Sequence, residues 1–354
     1  MNRLSTALAA LAISAPALAQ QDPPSPAAVP GDRPHAGTPQ PAGRFSSLRV
    51  LLQWENDGAF MNPFTDSDKH YTNGTELQVA WNPGPNDDLL WKLPFADRFD
   101  PASRRSAMGV SFGQLMFTPN NLELTALQPD ERPYAAYLYG SLFAQRADEH
   151  HFENLELQLG IVGPNAFGEE IQTFVHSVFS ASVKPEGWDN QLRDEFGVNL
   201  NYRHRWRSPI VSLGAFESQA IPALGFDLGN VRTDINAGLT IRAGYNLPDD
   251  FGPGTINDAT DHTGGWTGDF GAYAYGRVTG QWVVRDIFLD GNTFVDSHSV
   301  DKESFFAEAQ LGVMLHYKWL EAGWSLTWFG EAYELQDSTE AYGGYFLNVR
   351  FDHR

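Results

Sequence analysis

Apolar and polar residues alternate along most of the chain from Phe45 onward. The first candidate strand has one apolar face, formed by Leu48, Val50, Leu52 and Trp54, and one polar face, formed by Arg49, Gln53 and Glu55. The second has Thr75, Leu77, Val79 and Trp81 opposite Thr72, Gly74, Glu76 and Gln78. Alternation with a period of two predicts strands whose faces meet different surroundings.

Three later segments repeat this alternation over longer stretches: 305–317, 320–328 and 345–351. Strands of about ten residues with aromatic ends are typical of a barrel that faces lipid outside and a polar lumen inside. A soluble β-sandwich also alternates, but the strand length, the aromatic weighting and the carboxylates on the polar faces favour the membrane barrel. The last strand is amphipathic and aromatic-rich, as in outer-membrane barrels, although three residues follow Phe351. We therefore predict an all-β chain, a transmembrane antiparallel β-barrel of about 12 strands.

One segment departs from the β pattern. After Gly163-Pro164-Asn165 the apolar residues follow helical spacing, at Ile171, Phe174, Val175, Val178 and Phe179. This spacing predicts a short amphipathic loop helix. Its polar side carries Glu169, Gln172 and His176, and the last two lie one above the other because they are four residues apart. Such a helix could plug the barrel, or it could present a histidine for catalysis at the membrane interface.

The N-terminal segments indicate export. Residues 1–19 combine an early Arg3, an apolar run and Ala17-Leu18-Ala19, which is the pattern of a signal peptide. Residues 20–44 are rich in Pro, Gly and Ala, which predicts a disordered tether before a barrel domain at 45–354. The chain has no cysteine, so disulfides do not stabilise it.

The formal net charge of −20 narrows the range of partners. It argues against nucleic acid, whose phosphates require lysine and arginine. It also disfavours direct docking to anionic lipid headgroups, so we expect a divalent cation to mediate any such contact. Outside the signal peptide no run approaches the roughly 18 apolar residues of a transmembrane helix.

The densest group of chemically useful side chains lies where the first strand ends and the second begins. In a hairpin, Asn56 and Asp57 come near Thr72, and parity places Asp57 and Thr72 on one side. A carboxylate, an amide and a hydroxyl together suit Ca²⁺, although a polar hairpin loop would have the same composition. Asp66 and Asp68 do not continue into an EF-hand, and the chain has no serine-hydrolase elbow or zinc-protease motif. His150 and His151 are read as a solvated pair, and Ser177 cannot face His176 because the two are adjacent in a helix.

Several of these segments together resemble the lipid A 3'-O-deacylase family of LpxR-like outer-membrane proteins. The similar stretches occur in the family's order at 55–57, 70–74, 113–119, 130–137 and 160–176. The resemblance implies a twelve-stranded barrel with its site near the outer leaflet, beside a helix from an extracellular loop. It also implies Ca²⁺-dependent ester hydrolysis similar to that of secreted phospholipase A2.

The resemblance also assigns roles to individual residues. His176 matches the family's catalytic histidine and would act as the general base that activates water. Asn56 and Asp57 match the pair at the metal site, Thr72 the site threonine, and Gln172 a family glutamine. Two positions differ from the family. Ser182 and Val183 replace a glutamate that can orient the histidine, which leaves Glu170 or Glu186 as candidates, and the segment 120–129 lacks a Lys-Arg pair.

The expected function is removal of the 3'-linked acyl (acyloxyacyl) group from lipid A of lipopolysaccharide. The expected setting is the bacterial outer membrane, with Ca²⁺ as cofactor, membrane lipids as partners and no nucleic acid. A closed barrel has no free strand edges, so we expect a monomer. Two alternatives remain: an outer-membrane phospholipase or esterase with the same apparatus, and a non-catalytic porin-like barrel.

Overall fold

The computed structural model describes residues 45–58, 61–62, 70–83, 90–179, 184–336 and 339–352. The segments predicted to be a signal peptide and a tether lie outside these residues, as do Asp66, Asp68, Ser182 and Val183. The described chain contains thirteen strands. They are β1 (Phe45–Asn56), β2 (His70–Pro83), β3 (Arg105–Thr118), β4 (Ala135–Ala147), β5 (His151–Val162), β6 (Glu195–Trp206), β7 (Val211–Leu213), β8 (Phe216–Gly229), β9 (Arg232–Tyr245), β10 (Phe270–Asp286), β11 (Phe305–Tyr317), β12 (Leu320–Phe329) and β13 (Glu340–Asp352).

Twelve of these strands form a closed antiparallel barrel. Each strand pairs with its neighbours in the chain, β1 pairs with β13, and β6 pairs with β8, which closes the ring. The three-residue β7 pairs only with β8 and stays outside the ring. Closure gives every barrel strand a hydrogen-bonded neighbour on both edges. The prediction of a barrel of about 12 strands is confirmed.

The two faces of the barrel wall follow the predicted alternation. In β1, Leu52 is exposed while Leu51 and Gln53 are buried. In β3, Phe112 is 61% exposed, whereas Ser111 on the other face is buried. Large apolar side chains cover the exterior and polar side chains fill the interior, which is the inverse of a soluble protein and the pattern of a lipid-facing barrel.

Two α-helices belong to connections between strands. The first, α1 (Gly168–Phe179), lies between β5 and β6 and confirms the predicted loop helix. The second, α2 (Ile287–Asp290), follows β10 and is a single turn whose three apolar residues are buried. Short 3-10 helices occur at Leu90–Lys92, Ala96–Arg98, Pro164–Ala166 and Trp188–Asn190. None of the described helices is long and apolar enough to cross a membrane.

The connection between β9 and β10, residues 246–269, folds into the barrel. The sequence reads as a polar connector, yet Phe251, His262 and Trp266 are each at most 5% exposed. Side chains from the inner wall bind this lumen segment. Gln145 of β4 donates to the Thr260 carbonyl at 2.7 Å, and Arg205 of β6 pairs with Asp258 at 2.7 Å. The chain itself therefore occupies much of the lumen.

Candidate active site

The end of β1 and the start of β2 form the predicted hairpin. The strand register pairs Asn56 with Asn73. The amide nitrogen of Asn56 donates to the Thr72 carbonyl at 2.7 Å, and its oxygen accepts the backbone N–H of Gly58 at 2.8 Å. Asn56 therefore fixes both the hairpin and the turn that leaves β1.

Thr72 sits in an irregularity of the sheet. The register between β2 and β3 shifts between Tyr71 and Asn73, so Thr72 is the extra residue of a bulge. Its hydroxyl lies 2.7 Å from the hydroxyl of Thr118, and both residues are almost fully buried. Asp57 directly follows β1 and is 3% exposed. The structure thus brings Asn56 and Thr72 together as predicted, and the bulge sets the direction of Thr72 where simple parity does not.

A buried histidine holds this rim together. His70 begins β2 with a positive φ of 64°. Its Nε2 lies 2.9 Å from the Tyr333 hydroxyl and 3.3 Å from the Glu131 carboxylate, and its Nδ1 lies 3.1 Å from Glu340. Burial opposes ionisation of Glu131, but hydrogen bonds from His70 and Tyr333 outweigh it and hold the pKa of Glu131 below its ordinary value. The connections between β3 and β4 and between β12 and β13 thus both contact His70, two residues before Thr72.

Helix α1 packs on the outer side of the barrel wall. A cluster of buried residues beneath it contains Met116, Ala136, Ala166 and Trp188. Met116 has the parity of the lipid-facing Phe112, so this cluster lies outside the barrel. Gly168 at the start of α1 allows close approach, since a Cβ there would lie 2.5 Å from Trp188 and 2.7 Å from Ala136.

Gln172 attaches α1 to that cluster. It is 3% exposed, and its Oε1 accepts the indole N–H of Trp188 at 2.8 Å. Its Nε2 has no hydrogen-bond partner among the described residues. His176 lies one turn further along the same side of α1 and is partly exposed. Because Asn73 pairs with Met116 in the sheet, the Asn56–Thr72 group and α1 lie on neighbouring parts of one outer surface.

The apolar side of α1 points away from the wall. Phe174 is 66% exposed and Ile171 is 37% exposed. Leu142 of β4 and Phe196 of β6 are also exposed apolar side chains of the outer wall. The orientation suits a helix that lies at the surface of a membrane, with its polar side over the wall.

Glu170 and Glu186 are the two candidates from the sequence for a residue that orients His176. Glu170 is exposed in the first turn of α1, and Glu186 pairs with Lys184 at 3.0 Å. The contacts of Thr118 with Thr72 and of Trp188 with Gln172 are not predicted from the sequence. Thr118 stands in the recognised Phe117-Thr118-Pro119 stretch, which could have marked it, whereas no spacing in the sequence connects Trp188 to Gln172.

The side-chain oxygen atoms at the hairpin are of the type that binds a hard cation. Asp57 offers a buried carboxylate, and Thr72 and Thr118 offer hydroxyl oxygens nearby in the same rim. Ca²⁺ prefers such oxygen ligands over nitrogen or sulfur. Within the described ranges, no group of three or more His, Cys, Asp or Glu side chains could hold a metal ion. A cation here would therefore depend on Asp57 together with hydroxyl and carbonyl oxygens.

Comparison with known proteins places the chain in a family. Residues 4–351 match the sequence model described as outer membrane protein LpxR. The structure of LpxR from Salmonella typhimurium superposes with a TM-score of 0.70 at 17% identity, covering 85% of this chain and 99% of that one. The β domain of the Bordetella autotransporter BrkA gives a TM-score of 0.40 at 10% identity, covering 88% and 100%. No curated protein sequence matches the chain. The match over nearly the whole chain shows that it belongs to the LpxR family of outer-membrane proteins.

Proposed function

We propose that this outer-membrane protein is a lipid A deacylase that hydrolyses the ester of the 3'-linked acyl (acyloxyacyl) group. The observation that carries the proposal is the position of α1. It is fixed on the outer face of the wall, so His176 belongs to the surface that meets membrane lipid and not to the lumen. The 3' position itself is supported by the family resemblance of the motifs around Asn56, Thr72 and His176.

The reaction follows from the chemistry of His176. A neutral imidazole nitrogen accepts a proton from water while the water oxygen attacks the ester carbonyl. The tetrahedral adduct then collapses, the bond to the sugar oxygen breaks, and the imidazolium returns the proton to that oxygen. The products are a free carboxylic acid and a sugar hydroxyl, and no acyl-enzyme is needed.

Neighbouring groups complete the site. The hydroxyl of Thr72 donates to the carbonyl oxygen as negative charge develops there. The Nε2 of Gln172, which has no hydrogen-bond partner among the described residues, is a second donor on the same side of α1. Asp57 would hold Ca²⁺, which when bound polarises the ester carbonyl and neutralises charge between an acidic protein and a phosphorylated lipid. Asn56 positions Thr72 through its hydrogen bond to the Thr72 carbonyl.

The lumen disfavours the porin-like alternative. The lumen segment 246–269 is bound by Arg49, Gln145, Arg203, Arg205 and Arg277 of the inner wall. Transport through the barrel would require this segment to leave. An outer-face site needs no such movement.

The proposal is tested by mass spectrometry of lipid A. Purified full-length protein in detergent is incubated with lipopolysaccharide in Ca²⁺ and, separately, in EGTA. We expect loss of one 3'-linked acyl group in Ca²⁺ and at least a hundredfold slower loss in EGTA. His176→Ala and Asp57→Asn should each reduce the rate by at least a hundredfold.

The matched control is His150→Ala, because His150 is an exposed histidine at the opposite rim. Its rate should equal that of the unmodified protein. Full activity of His176→Ala would overturn the assignment of the base. Release of fatty acid from glycerophospholipid, with lipid A unchanged, would replace the substrate by that of a phospholipase.

A further inference from the structure

A cavity of about 180 Å³ lies inside the barrel, on the opposite side of the wall from α1. Its lining includes polar side chains of the inner wall and of the lumen segment. Near α2 the lining becomes aromatic, with Phe117, Phe288 and Tyr342. Phe117 and Phe288 stack with their ring centroids 4.2 Å apart. The cavity therefore has one polar part and one apolar part.

Arg132 lies against this aromatic part. It is 5% exposed, and its guanidinium carbon sits 4.3 Å above the ring of Phe117. Its Nε has no hydrogen-bond partner, and no ion pair joins it to a carboxylate of the described chain. Burial lowers the pKa of Arg132 below its ordinary value, which reflects the cost of a desolvated charge. Buried charges in folded proteins are ordinarily paired.

The other arginines that line the cavity all have partners. Arg203 pairs with Asp227 at 2.9 Å, Arg232 with Asp286 at 2.8 Å, and both Arg205 and Arg277 with Asp258 at 2.7 and 3.3 Å. Counting the lining, five arginines face four carboxylates, the fourth being Glu308. Asp234, which also pairs with Arg232, lies outside this lining, so Arg132 is the one arginine of the lining without an ion pair among the described residues.

A second polar group of the same lining lacks a partner. Tyr137 is 1% exposed, and its hydroxyl makes no hydrogen bond within the described residues. Its ring lies 6.4 Å from Phe288, the residue that stacks on Phe117. Arg132 and Tyr137 thus flank one aromatic pair, and each offers an unused N–H or O–H donor. A carboxylate accepts from both kinds of donor.

We propose that this inner cavity binds a monoanionic carboxylate with an apolar chain. The carboxylate would accept hydrogen bonds from Arg132 and Tyr137, and the chain would lie against Phe117 and Phe288. A single negative charge matches Arg132, the one arginine of the lining without an ion pair among the described residues, which favours a monoanion over a phosphate dianion. The site lies across the wall from His176, and the inference does not rest on the proposed hydrolase.

The test is calorimetric titration of the full-length protein in a nonionic detergent with decanoate. We expect saturable binding at one site. Decan-1-ol, which has the same chain without the charge, should bind at least tenfold more weakly, and inorganic phosphate should not saturate the site. Arg132→Leu should weaken decanoate binding at least tenfold, and Tyr137→Phe about threefold to tenfold.

The matched control is Arg193→Leu, because Arg193 is exposed on the same rim and outside the cavity. It should bind decanoate like the unmodified protein. If Arg132→Leu does not fold, as judged by heat-modifiable gel mobility, Arg132→Lys and Tyr137→Phe provide the comparison. Absence of saturable decanoate binding, equal binding of decan-1-ol, or unchanged affinity in the variants would each overturn the proposal.

Discussion

The indole N–H of Trp188 donates to the side-chain oxygen of Gln172 at 2.8 Å, and both residues are buried. This bond joins the segment after α1 back to the middle of the helix. It fixes the rotation of α1 about its axis, and therefore the direction of His176 one turn later.

Replacing Trp188 with Phe should lower the rate of lipid A deacylation while the barrel still folds. The variant keeps an aromatic ring but leaves the Gln172 oxygen without its donor, which costs about 1–3 kcal/mol. If this cost falls on the orientation of α1, the rate of deacylation should drop by roughly 5- to 150-fold. Initial rates and heat-modifiable gel mobility measure the two effects. Trp206→Phe, at the opposite rim, should leave the rate unchanged. An unaltered rate in Trp188→Phe would show that this bond does not set the helix.

Asn56→Asp separates the two hydrogen bonds of that side chain. An aspartate can still accept the Gly58 N–H, but it presents an oxygen to the Thr72 carbonyl where Asn56 donates. We expect a loss of stability of about 1–3 kcal/mol at the hairpin and at least a tenfold lower rate. Asn73→Asp is the comparison, because Asn73 receives the Trp54 indole N–H through its oxygen and keeps that bond. Equal rates for Asn56→Asp and the unmodified protein would remove Asn56 from the positioning role.

Glu131 should make the stability of the rim depend on pH. Its pKa is lowered in the folded protein, so its contribution is fully present above the ordinary carboxyl pKa. The contribution is lost as the pH falls through the lowered folded value. Urea unfolding should show Glu131→Gln less stable than the unmodified protein at pH 7, with the difference shrinking in acid. A difference that stays constant down to pH 3 would contradict the contribution of ionised Glu131.

Asp258→Asn should loosen the lumen segment. Asp258 forms ion pairs with Arg203, Arg205 and Arg277. Asparagine is uncharged, so in the variant these three guanidinium groups lose the carboxylate that they share. Breaking a buried ion pair costs about 3–5 kcal/mol. We expect a lower urea midpoint and the appearance of ion conductance in planar bilayers. Asp296→Asn, an exposed aspartate in another loop, should change neither. A variant that conducts no more than the unmodified protein would show that other contacts suffice to retain the segment.

The sequence predicted the wall of the barrel well, because lipid imposes a strict alternation on every strand. The strand predicted at 305–317 coincides with β11, and the change of period after Asn165 predicts α1. The sequence does not predict that the connection between β9 and β10 fills the lumen, because a polar lumen requires no apolar periodicity from the chain inside it. The direction of Thr72 was not predictable either, because it depends on a bulge that pairing with β3 creates.

Contacts that depend on tertiary packing also limit what the sequence predicts about the candidate site. The sequence identifies Asn56, Asp57, Thr72, Gln172 and His176 as candidates, and the roles of all five remain predictions. Trp188 was not identified, because its contact with Gln172 spans sixteen residues of irregular chain. Contacts of this kind are set by tertiary packing and leave no spacing in the sequence.

The lumen segment has a consequence for the cell that makes the protein. The outer membrane protects the cell only while it excludes detergents and other small toxic molecules. An empty twelve-stranded barrel would be a hole in that barrier, and the damage would grow with every copy inserted. A barrel whose lumen is occupied by its own chain can reach a high density in the membrane without raising the permeability of the envelope.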